Sequence, residues 1–114
     1  GKIKERQRAM AMQRMMQEVP KADVVITNPT HFAVALKYDN KVMAAPQIVA
    51  KGQDFVALRI KEIAKEHKVV IVENKPLARA LHASTEVGDA VPAELYKSVA
   101  EVLAYVYRLK RRLS

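Results

Sequence analysis

The stretch from Val24 to Tyr38, VVITNPTHFAVALKY, restricts the fold of this chain more than any other. Asp23-Val24-Val25-Ile26-Thr27 is a short β-branched run of the kind that forms a strand buried on both faces. Beyond Pro29, Phe32, Val34, Leu36 and Tyr38 alternate with His31, Ala33, Ala35 and Lys37, the period-two signature of a strand with one more apolar face. Two strands therefore flank a sharp connection at Asn28-Pro29-Thr30-His31. Asn and Pro suit the first two positions of a type I turn, because the Asn side chain can bond back to the backbone and Pro fixes φ.

That turn has a reactive possibility. In most Asn-X pairs the nitrogen of X attacks the Asn side-chain carbonyl and leaves the chain intact. Pro29 has no N–H, so that route is closed. What remains is attack by the Asn28 side-chain nitrogen on its own main-chain carbonyl carbon, expelling the Pro29 nitrogen. The products would be a C-terminal succinimide on Asn28 and a new amino terminus at Pro29. An amide is a poor nucleophile, and near-attack geometry held by the fold can supply roughly 7–11 kcal/mol in favourable cases. Thr30 could stabilise the developing oxyanion or the turn, and His31 could relay a proton. Taken alone, Asn-Pro-Thr is also an ordinary tight turn. N-glycosylation is excluded, because Pro occupies the middle of the sequon.

The rest of the chain reads as scaffold. Residues 3–19 carry no Gly or Pro and form a helix containing Met10, Met12, Met15 and Met16, a linker that is ordered when something supports it. After the polar break at Asp39-Asn40-Lys41 and a loop to Pro46, Gln47-Ile48-Val49-Ala50 is a short third strand ended by Lys51-Gly52. Residues 54–67 form a helix with Phe55, Val56, Ile60, Ile63 and Ala64 on one face. Lys68-Val69-Val70-Ile71-Val72 repeats the buried-strand pattern. Strand, helix and strand imply a crossover and at least one parallel pair, so the sheet is mixed. A short helix from Leu77 to about Ser84 follows. Pro92 opens a last helix with a stripe of Leu95, Val99, Val102, Val106 and Leu109. The expected architecture is α/β: a small mixed β-sheet surrounded by about four helices, one of them the N-terminal linker. The organisation reads as a basic linker helix at 1–20, one domain at 21–110 and a basic tail at 111–114.

The 114 residues, half of them apolar, suffice for one core of modest size. The net charge of +8 gathers at the ends, in Lys2, Lys4, Arg6, Arg8 and Arg14 and in Arg108, Lys110, Arg111 and Arg112. Nucleic acid, an anionic membrane surface and plain solvation all accommodate it. A basic segment that follows membrane helices suits the second. No run is long or apolar enough to span a bilayer, and the start has no apolar signal-peptide region.

Other chemistries find little support. The absence of Cys removes disulfides, thiol nucleophiles and Cys-based zinc sites together, and suits a cytosolic setting. His31, His67 and His82 lack ligand spacing, so no metal is expected, and no Gly-rich loop cradles phosphate. His67 reads as a cation at a helix C-terminus. His82 two residues before Ser84 on a helix would not face it, so a hydrolase triad has no basis. Glu73-Asn74 at a strand end reads as solvated loop. The four Tyr residues do not interleave with a basic strand face, which weakens a single-stranded nucleic-acid reading. A basic nucleic-acid-binding module with an inert turn is the alternative function class.

Three segments carry a resemblance: EVPKADVVITNPTHFAVALKYD, AAPQIVAKGQDFVALRIKEIAKEH and PLARALHASTEVGDAVPAELYKSVAEVLAYVYRLK. Together they resemble the cytoplasmic domain of the FlhB/YscU family of type III secretion export-switch proteins, with Asn-Pro-Thr-His intact at residues 28–31. The resemblance implies a bacterial inner-membrane protein of the export gate, with this domain on the cytoplasmic side. It implies self-cleavage between Asn28 and Pro29, with Thr30 and His31 completing the motif and the pieces remaining associated. Cleavage in that family permits a switch in the substrates exported, and the long match favours the flagellar branch. The implied partners are other export-gate subunits, a hook- or needle-length ruler protein and exported substrates, with no cofactor and no nucleic acid. The chemistry would be a single intramolecular turnover.

Overall fold

Of the β-rich runs in the sequence, four assemble into one sheet in the computed structural model, which describes residues 2–29 and 31–113. The strands are β1 (Val24–Asn28), β2 (Phe32–Lys37), β3 (Gln47–Gln53) and β4 (Val70–Glu73), and the helices are α1 (Lys2–Glu18), α2 (Phe55–Glu66), α3 (Lys75–Ser84) and α4 (Tyr96–Leu113). The sheet order is β3-β2-β1-β4. β1 pairs antiparallel with β2, from Val24 opposite Leu36 to Asn28 opposite Phe32. On its other edge it pairs in parallel with β4, Thr27 opposite Glu73. β2 pairs antiparallel with β3, with a bulge between Ala35 and Leu36. The mixed sheet with surrounding helices and an N-terminal helix matches the expected architecture.

Alternation along β1 sorts its residues between two cores. Val24 and Ile26, with Val34, Leu36 and Ile48, meet Leu77, Ala78 and Leu81 of α3 and Val99, Val102, Leu103 and Val106 of α4. Val25, with Ala33, Ala35, Val49 and Ala50, meets Ala57, Ile60, Ile63 and Ala64 of α2. Helices thus cover both faces of β1 and β2. The β2 residues from Ala33 to Leu36 are all buried, whereas the alternation predicts one apolar face. The second face is usable because Ala33 and Ala35 are small enough to let α2 approach.

Four other expectations change. β3 runs through Lys51 and Gly52 to Gln53, where the sequence reading ends it at Lys51-Gly52. A Cβ at Gly52 would lie 2.3 Å from Val56 Cγ1, so this strand position needs Gly for the first turn of α2 to come close. Phe55, expected on the buried stripe of α2, is 84% exposed, and Ala57 takes its place in the core. β4 is only partly buried because it is an edge strand, and not the fully covered strand its Val-rich run predicts. Asn74, read as solvated loop, caps α3 by accepting the Leu77 N–H at 3.2 Å. α1 has no buried residue; Met15 and Met16, near its end, are partly buried against the α2-side core.

Candidate self-cleavage site at the β1–β2 turn

Asn28 is the last residue of β1, and its parity with Val24 and Ile26 puts its side chain on the α3 face. It is 8% exposed, one of few buried polar residues among those described. The amide borders a cavity of about 340 Å³ whose wall is α3: Lys75, Pro76, Arg79, Ala80 and Ala83.

The main-chain carbonyl of Asn28 accepts the His31 N–H at 2.9 Å and closes the turn. In the cyclisation expected from the sequence, this carbonyl would be the electrophile. A backbone donor already aimed at its oxygen polarises it and would stabilise the negative charge that develops on attack. The neighbouring carbonyls are engaged as well. Thr27 O accepts the Asn74 N–H at 2.9 Å, extending the β1–β4 ladder past Glu73, and His31 O accepts the Asp54 N–H at 2.8 Å. Pro29 O accepts from Lys61 Nζ at 3.1 Å.

The predicted site residues thus divide between two faces. Asn28 looks toward α3. His31, in the turn just before β2 and of opposite parity to Phe32, has its Nδ1 3.7 Å from Asp54 Oδ1 just before α2, with both side chains largely exposed. The part of His31 that reaches Asn28 is its backbone N–H. Pro29 is half-buried. Thr30 lies outside the described residues. Lys61, Lys75 and Arg79 belong to the surroundings of the turn and have no signal in the sequence, because each arrives from an element remote in the chain; Asn74, weighed at its strand end and read as solvated loop, joins them through its N–H.

Phe32, opposite Asn28 in the ladder, packs on the His82 ring with centroids 4.7 Å apart. His82 is held below the ordinary histidine value by burial and by the Lys51 ammonium, with Glu86 opposing. Lys51 itself reaches from β3 to the end of α3, donating to His82 O at 2.9 Å and to Thr85 O. Elsewhere, a largely apolar cavity of about 310 Å³ lies between α4 and the loop before β3, bordered by Tyr38, Pro46, Tyr96, Leu103 and Tyr107. Among the described residues no group of His, Asp and Glu is placed to hold a metal, and no helix is long and apolar enough to cross a membrane.

Comparison with known proteins decides the relationship. The sequence profile of the FlhB HrpN YscU SpaS Family matches residues 1–106. The chain belongs to this family. It is 65% identical over 113 residues to the flagellar biosynthetic protein FlhB of Bacillus subtilis, covering 99% of this chain and 31% of the relative. Against FlhB of Salmonella typhimurium the identity is 58% over 111 residues, covering 97% and 29%. The chain therefore spans about a third of the length of these FlhB relatives. The crystal structure of the cytoplasmic domain of FlhB from Shewanella putrefaciens superposes with a TM-score of 0.85 at 48% identity, over 90% of this chain and 78% of that one. A C-terminal domain of EscU carrying an Asn-to-Asp mutation superposes with a TM-score of 0.78 at 26% identity, over 81% of this chain and 98% of that one. The four-stranded mixed sheet and its helices are thus the fold of FlhB and EscU cytoplasmic domains.

Proposed function

We propose that this chain is the cytoplasmic, self-cleaving switch domain of a flagellar type III export gate, and that it cuts itself once between Asn28 and Pro29. In the step, the Asn28 side-chain nitrogen bonds to the Asn28 main-chain carbon and the bond to the Pro29 nitrogen breaks. One proton of the attacking amide ends on that nitrogen, so the products are a succinimide and a secondary amine with no water consumed. Water then opens the imide. The His31 N–H stabilises the oxyanion of the tetrahedral intermediate, and the side chains of Thr30 and His31 assist proton movement and turn geometry.

The observation that carries this reading is the pairing at Asn28 of a largely buried side chain at the edge of a cavity with a main-chain carbonyl already bonded to the His31 N–H at 2.9 Å. The bond after Asn28 is a tertiary amide with no N–H on Pro29, which excludes the competing succinimide that keeps the chain intact. Membership of the FlhB family supports the export role, with residues 1–20 leading from membrane-embedded segments on the amino side and residues 111–114 forming a basic tail. The partners are other export-gate subunits, a length-measuring ruler protein and exported substrates, and cleavage alters the surface from Pro29 to Tyr38 that governs which substrates pass.

The test is the mass of freshly purified protein under denaturing conditions beside Asn28→Ala. The expected result is two pieces, one ending at Asn28 and one starting at Pro29, and a single chain for the variant. An intact wild-type chain after days at neutral to mildly alkaline pH would reduce the turn to scaffold.

A further inference from the structure

Resting on the self-cleavage reading, we propose that Lys61 is a positioning residue for scission, holding Pro29 against α2 while Asn28 reacts on the opposite face of the sheet. Lys61 follows Ala57 by four residues and so sits at the edge of the buried stripe of α2 made by Ala57, Ile60 and Ala64. From there its stem runs along the helix flank toward the β1–β2 turn, and its ammonium donates to the Pro29 carbonyl at 3.1 Å in a partly buried setting. Residue 61 is 32 positions from Pro29, so the contact is tertiary and does not arise from the turn itself.

Its place relative to the scissile bond gives the contact its meaning. Pro29 supplies the departing nitrogen, and its ring leaves few backbone torsions free. Fixing its carbonyl therefore fixes the plane from which the nitrogen leaves. The residue that precedes the same helix grips the far side of the turn, where the Asp54 N–H donates to His31 O at 2.8 Å. Asp54 is held there at φ 52°, a conformation a non-glycine residue rarely adopts. On the other side of the bond, β1 is fixed by the Asn74 N–H on Thr27 O. The leaving residue and the attacking residue thus have separate anchors, α2 for Pro29 and the β4–α3 junction for β1. Cyclisation requires the two to stay in register, because small misplacements of reacting groups are costly.

Cleavage should be followed in newly synthesised, pulse-labelled protein by denaturing gel and mass, comparing wild type with Lys61→Met, Lys61→Arg and Lys65→Met. Lys65 is an exposed cation one turn on, and controls for loss of charge alone. We expect Lys61→Met to slow scission by roughly ten- to a hundred-fold, the range for losing a charge-assisted hydrogen bond. Lys61→Arg should recover most of the rate and Lys65→Met should cleave as wild type. An unchanged rate in Lys61→Met, or Lys61→Arg as slow as Lys61→Met, overturns the assignment. So does a large loss of thermal stability when Lys61→Met is combined with Asn28→Ala, which would make Lys61 structural. A wild-type chain that never cleaves would instead sink the self-cleavage reading, and the Lys61 role with it.

Discussion

The proposed scission at Asn28 would turn one chain into two, and stability should then depend on concentration. The first piece carries α1 and β1; the second carries β2, β3, β4 and the remaining helices. β1 lies between β2 and β4, so it is hydrogen-bonded along both edges and stays so when the turn is cut. Val24, Val25 and Ile26 are fully buried in it. At roughly 1.5–3 kcal/mol for each such side chain, these three contribute about 5–9 kcal/mol to holding the pieces together. Cleaved pieces should therefore co-purify and part only when the domain unfolds.

Unfolding then releases two bodies in place of one. A short connection keeps the strands at an effective concentration in the millimolar range, and at about 10 µM the cut protein forfeits roughly a hundred-fold of that, or about 2.7 kcal/mol. For a domain of this size the loss lowers the melting midpoint by roughly 10 °C relative to Asn28→Ala. The assay is circular-dichroism melting of both proteins at about 1, 10 and 100 µM. The cleaved midpoint should climb by about 5 °C per ten-fold rise in concentration, while that of Asn28→Ala stays fixed. A midpoint independent of concentration, in a sample shown by mass to be cut, would refute the view that a buried β1 joins the pieces. Separation of the two on native gel filtration would refute it as well.

Two further outcomes are best measured in the Asn28→Ala background, where the chain stays whole. Gly52→Ala forces a Cβ to within 2.3 Å of Val56 Cγ1, with the stiff Val56 Cβ close behind, and should cost about 1–3 kcal/mol in a denaturant melt; an unchanged midpoint would show that α2 can shift. His82 sits below its ordinary value of 6.5, so as pH falls the unfolded chain takes up the proton first. Its contribution is complete above that value and is lost as the pH drops through the folded one. Between about pH 7.5 and about pH 5 the parent should therefore lose more melting temperature than the same protein with His82→Gln, and equal losses would remove the burial and Lys51 argument.

What was legible in the sequence was whatever consecutive residues decide. The Val24–Thr27 run, the alternation after Pro29 and the Asn-Pro pair announce a hairpin with a tight turn, and the sheet and its helices follow from the same local patterns. Misreadings arose where packing turns on small residues or on a side chain with two characters. Ala57 is buried while Phe55 is not, because residues two apart on a helix point about 200° from each other, so the face of α2 that carries Ala57, Ile60 and Ala64 over Ala33 and Ala35 turns Phe55 outward. Lys51 continues β3 because its stem is covered while its ammonium satisfies carbonyls at the end of α3. The donors that hold the turn, Lys61 on Pro29 and Asn74 on Thr27, have no local signature, since only the tertiary fold brings them there. The division has a chemical reason. An Asn-Pro pair contains nucleophile, electrophile and leaving group within two residues, so the reaction can be read in any chain, yet it is slow unless geometry supplies the missing part of the barrier. On the proposed role of Lys61 that part resides in α2 and the β4–α3 junction, so substitutions there, outside the Asn-Pro-Thr-His motif, should slow scission without removing the motif.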